Sequence, residues 1–68
     1  MTFNNQLKHY RQSAQLTQKS LAEKLFITVR TLQFYEQGAR EPSLETLIRI
    51  AEILNITTDE LLGRTQKE

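Results

Sequence analysis

The apolar residues of this chain recur at helical spacing and nowhere alternate as strand residues would. Leu7, Tyr10 and Ala14 lie at i, i+3 and i+7, and Leu21, Ala22 and Leu25 share one helical side. Leu44, Leu47, Ile50, Ala51 and Leu54 form an inward-facing stripe of 3.6-residue period. The punctuation between these runs is short and chemically specific. Thr17, Thr28 and Ser43 stand where N-caps belong, and Thr57-Thr58-Asp59-Glu60 has the S/T-x-x-E form of a capping box. Gln37-Gly38, Asn55-Ile56 and Gly63 are placed to end helices, glycine because it accepts the left-handed conformation there. Five helices are therefore expected, covering about 3–14, 17–25, 28–37, 43–54 and a short piece after Thr57 that carries Leu61 and Leu62. The fold class is all-α, one compact domain over 1–63 followed by a polar tail at 64–68.

The third of these helices has two unlike sides. At 100° per residue, Leu32 points one way with Val29, Tyr35 and Glu36 within about 60° of it. Arg30, Gln33, Phe34 and then Gln37 lie on the other side. A solvated face has no need of a phenylalanine, and a core face has no need of a glutamate, so this helix is expected to meet a partner on each side.

Composition narrows the classes. Sixty-eight residues suffice for one small domain, and the absence of cysteine removes disulfides and cysteine-based zinc sites as staples. No apolar run approaches the roughly 18 residues of a membrane span, and MTFNNQ is too polar for a signal peptide, so a cytoplasmic location is expected. Net charge is only +1, but it is unevenly spread. Residues 1–40 hold six bases and two acids, a balance of +4, and residues 41–68 hold three bases and six acids, a balance of −3. One end is suited to a polyanion. A catalytic inventory is missing: there is one histidine (His9), no cysteine and no glycine-rich phosphate loop, while Asp59 and Glu60 suit the first turn of a helix. No enzyme activity, cofactor, metal or small-molecule ligand is expected.

Helices two and three, joined by a tight turn, have the form of a helix-turn-helix, with Leu21, Ala22, Leu25, Ile27, Leu32 and Tyr35 at its seam. The run LTQKSLAEKLFITVRTLQFYEQGAREPSLETL, followed by LIRIAEILNITTDELL, resembles the phage-repressor and Cro-type (XRE-like) helix-turn-helix domains from about Leu7 to Leu62. That resemblance implies a five-helix, repressor-like domain whose third helix enters a major groove of double-stranded DNA while the second crosses the backbone. Base contacts then fall to Thr28, Val29, Arg30, Gln33 and Phe34, with arginine suited to guanine, glutamine to adenine and an apolar side chain to a thymine methyl. Phosphate contacts fall to Thr17, Gln18, Lys19, Gln37 and Arg40. The resemblance also implies a structural ion pair between Arg11 and Glu36.

Each role has a plainer rival. Arg30 and Lys19 can be solvated charges, Val29 can be core, and Phe34 can pack on a neighbouring loop or at a dimer contact. Phe26 stands where such domains commonly have glycine, so either the turn is strained there or it has changed shape. Ser20 replaces a frequent glutamate, which deprives helix two of a reciprocal capping box. Ile48, Ile53, Thr58 and Leu61 are the expected homodimer surface at the acidic end. With no further domain after helix five, the expectation is a minimal dimeric repressor reading a pseudo-palindromic operator, or an immunity- or antitoxin-type regulator. The rival is a protein-interaction module that neutralises a toxin or contacts polymerase and binds DNA weakly.

Overall fold

The computed structural model describes residues 3–63, and the tail at 64–68 lies outside them. Five helices follow in order: α1 Phe3–Ser13, α2 Gln18–Leu25, α3 Val29–Gln37, α4 Leu44–Leu54 and α5 Thr58–Leu61. No strand occurs among the described residues. The first helix is one residue shorter than expected, since Ala14 and Gln15 already turn away.

The starts are set by hydroxyls. Thr17, Thr28, Ser43 and Thr57 each sit in extended backbone, and each side-chain oxygen accepts from the N–H three residues on, at 3.0, 3.1, 3.2 and 3.0 Å. Thr57 and Glu60 complete the reciprocal box, the Thr57 N–H donating to Glu60 Oε1 at 2.9 Å. Helix α2 lacks that return bond, and Ser20 accepts from the Thr17 hydroxyl instead, at 3.0 Å.

The stops of the first four helices share one geometry, whereas α5 ends on Leu62 in right-handed backbone. Gln15, Phe26, Gly38 and Asn55 take φ of 61°, 58°, 77° and 58°, and the N–H of the following residue reaches back to Arg11, Ala22, Phe34 and Ala51. Three of those following residues, Leu16, Ile27 and Ile56, then pack on the core. Phe26 thus keeps the left-handed turn that glycine usually supplies, and its side chain is 84% exposed. The turn has not changed shape. Its ring lies beneath Arg49 of α4, 5.7 Å from guanidinium carbon to centroid.

Leu7, Leu21, Leu32, Ile50 and Leu61 are fully buried, one from each helix, with Ala22, Leu25, Ala51 and Leu54 around them. Ala22 is nearly inaccessible, as a small residue must be where α2 meets its neighbours closely. Gln6 ties α1 to α5 by donating from Nε2 to the Glu60 carbonyl at 3.1 Å.

Two expectations are corrected. Leu44 is 71% exposed and does not belong to the inward stripe of α4. It is the first residue of the helix, about 60° round from Leu47, where no other element reaches over it. Leu61 is fully buried in the domain's own core, so it cannot lie on a dimer surface.

Candidate nucleic-acid interface

A buried ion pair fixes the helix whose outer face is in question. Arg11 of α1 donates from Nε to Glu36 Oε2 at 2.6 Å and from Nη2 to Oε1 at 3.3 Å. Its Nη1 donates to the Leu16 carbonyl at 2.8 Å. Both side chains are almost wholly buried, so the pair is screened little and its fork geometry resists rotation of α3. Leu32 anchors the same side, and Val29 and Tyr35 are half-buried against the core. The inward half of α3 is therefore fixed by one leucine, one ion pair and two partly packed flanks.

The outward half carries Arg30, Gln33, Phe34 and Gln37. Arg30 and Gln37 are exposed, Gln33 and Phe34 half-buried. Phe34 has an intramolecular partner: the Arg30 guanidinium carbon lies 5.4 Å from its ring centroid, one helical turn away. That contact accounts for an aromatic residue on this side of the helix, since the ring supports a cation that stays open to solvent. The main chain of Phe34 also holds the loop that follows, its carbonyl accepting from Ala39 at 2.9 Å and Arg40 at 3.4 Å. Arg40, exposed, is thereby held next to the last turns of α3.

The start of α2 lies alongside. Gln33 donates from Nε2 to Gln18 Oε1 at 3.3 Å, and Gln18 donates from Nε2 to Glu36 Oε1 at 3.0 Å. These bonds place Thr17, Gln18 and the exposed Lys19 beside the outer flank of α3. They also alter the expected part of Gln18. The amide oxygen and one amide N–H have partners within the protein, so what remains for a phosphate is the second amide N–H and the main-chain N–H at a positively polarised helix start. Thr17 and Thr28 are likewise engaged as caps, Thr28 sharing a 2.8 Å hydroxyl contact with Thr31. Val29 spends part of its surface in packing.

Of the expected site residues, the fold brings Thr17, Gln18, Lys19, Arg30, Gln33, Phe34 and Arg40 to one side and joins Arg11 to Glu36. It separates the expected dimer residues. Ile48 and Ile53 project about 140° apart around α4; Ile48 is exposed, while Ile53 is half-buried on the core. The linking role of Gln18 is what the sequence does not announce, because its partners lie 15 and 18 positions away. His9 is exposed and packs edge-on to Tyr10. Among the described residues no group of His, Asp or Glu side chains converges as a metal site requires, and no helix is long and apolar enough to cross a membrane.

A helix-turn-helix family profile matches residues 7–61. The chain is 41% identical over 66 residues to the HTH-type transcriptional regulator ImmR of Bacillus subtilis, covering 97% of this chain and 52% of that one. It is similar in structure to the restriction-modification controller protein C.AhdI of Aeromonas hydrophila, with 28% identity, a TM-score of 0.82, and 88% of this chain and 91% of that one covered. The P22 c2 repressor, solved with a synthetic operator, has the same fold at 18% identity, with a TM-score of 0.88 over 96% of this chain and 98% of that one. The chain spans about half the length of the curated relatives it matches.

Proposed function

The chain belongs to the helix-turn-helix family, of phage-repressor type, and on that premise we propose that it is a transcriptional regulator that binds double-stranded DNA in a sequence-specific manner, with α3 in the major groove. The observation that carries this reading is the division of α3. Leu32 and the Arg11–Glu36 pair lock one side, while Arg30 and Gln33, two side chains able to make bidentate contacts with base edges, stand on the other. Lys19 and Arg40 flank that side and supply charge for phosphates. The basic balance of residues 1–40 agrees with it.

The regulator acts in the cytoplasm as a repressor and binds as a homodimer. A two-fold pair of such domains sets its recognition helices about 34 Å apart, one turn of DNA, and reads a pseudo-palindrome. Ile48 is the expected dimer residue left exposed; Ile53 and Thr58, both half-buried, can add only their remaining surface. Selecting bound duplexes from a random pool tests this reading. A recovered motif with two inverted half-sites supports it, and a pool that stays random after several rounds contradicts it.

A further inference from the structure

We propose that Gln18 is a positioning residue that fixes which way round Gln33 presents its amide, and so makes Gln33 select adenine over guanine. The proposal rests on the reading of Gln33 as a base contact. A glutamine amide can ordinarily flip, exchanging its oxygen for its nitrogen at little cost. Here a chain of donors removes that freedom. The Glu36 carboxylate, gripped by Arg11 at 2.6 and 3.3 Å, can only accept, so Gln18 must turn Nε2 toward it, which it does at 3.0 Å. The Gln18 oxygen then faces α3 and can only accept. Gln33 must therefore offer an N–H, and its Nε2 lies 3.3 Å away.

The remainder of the Gln33 amide has one defined polarity: a free oxygen and one free N–H. Adenine shows the major groove one donor, N6–H, and one acceptor, N7, which this edge matches. Guanine shows two acceptors, O6 and N7, and pairing with both requires the two N–H groups of the amide. One of those is already held by Gln18. Reading guanine would break the Gln18–Gln33 bond and leave the Gln18 oxygen without its donor. The preference thus originates in a buried ion pair that never touches DNA and passes outward through one side chain.

Two measurements on the full chain test this. In the DNA-free protein, the side-chain amide resonances of Gln33 are compared between the wild type and Gln18→Met, which keeps the length of the side chain without its amide, with Gln18→Ala as a second variant. A shift of the Gln33 amide protons is expected in both variants, and resonances unchanged in both overturn the link. Next, a duplex from the selected pool is varied through all four base pairs at the position that Gln33→Ala releases. Gln18→Met should lower the adenine-over-guanine preference there about three- to tenfold, the worth of one neutral hydrogen bond, and leave the position read by Arg30 unaltered. Equal weakening on every duplex, with the ratio intact, would mean that Gln18 merely grips phosphate and defeats the proposal alone. If Gln33→Ala releases no position, Gln33 is not a base reader, and the proposal falls together with that reading.

Discussion

Arg30 lies with its guanidinium carbon 5.4 Å above the ring of Phe34, one helical turn further along α3. An exposed arginine otherwise samples many rotamers and loses that freedom on binding. Resting on the ring limits the loss, so on the proposed reading of Arg30 as a base contact the aromatic residue contributes through the cation it supports. Phe34→Leu should therefore lower Arg30-dependent base discrimination about two- to fivefold, the size of an exposed cation–π contact. Binding is compared on a selected duplex and on one altered at the position read by Arg30. An equal loss on both would show that Phe34 contributes only packing.

Arg30 and Arg40 separate reading from gripping. Arg30→Ala should lose about 1–3 kcal/mol of discrimination at one base pair, while Arg40→Ala weakens all duplexes alike and reduces the salt slope by about one. Titrations on specific and random DNA at several salt concentrations distinguish the two. Uniform loss for Arg30→Ala refutes its assignment as a reader.

The Arg11–Glu36 pair should matter more to stability than any exposed charge. Arg11→Met leaves a buried carboxylate without its cation, at about 3–5 kcal/mol, enough to unfold much of a domain this small. Urea unfolding of the single variant and of Arg11→Met/Glu36→Leu checks this. The double variant should recover most of the loss, and a single variant as stable as the wild type would deny that the pair is load-sharing.

Phe26 should be dispensable to the fold despite its size. Its φ of 58° costs a non-glycine residue about 1 kcal/mol or more, and its 84% exposure brings little burial in return. Phe26→Gly is expected to leave the thermal midpoint unchanged or raised, even though the Arg49 contact is lost. A fall of several degrees would show that this contact outweighs the strain.

Leu61 behaves oppositely. Fully buried among helices, it should cost about 2–5 kcal/mol when changed to alanine. Ile48→Ala, at an exposed position, should change stability little and self-association more. Denaturation and sedimentation of both variants give the comparison, and the reverse pattern would return Leu61 to an interface.

Helix starts and stops are legible in the sequence because each is a local contest between one side chain and the main chain. Thr17, Thr28, Ser43 and Thr57 state their function within three residues. Burial at the rim is less legible. Leu44 and Leu47 are equally apolar and share a stripe, yet only Leu47 has another element packed over it. Leu61 reads as peripheral because a four-residue helix has too few turns to show a stripe, although it sits in the centre. The two-sidedness of α3 is visible from its periodicity, but not the contact of Phe34 with Arg30 or the bridging by Gln18, which depend on rotamers and on how α2 lies across α3.

The proposal that this domain meets DNA is tested most directly by titrating the 68-residue protein with a random-sequence duplex at two salt concentrations. Binding should be present at low salt and fall steeply at high salt, with a log–log slope of about −0.9 for each phosphate contacted. No binding at either concentration, or binding indifferent to salt, would contradict it and leave the outer face of α3 to a protein partner.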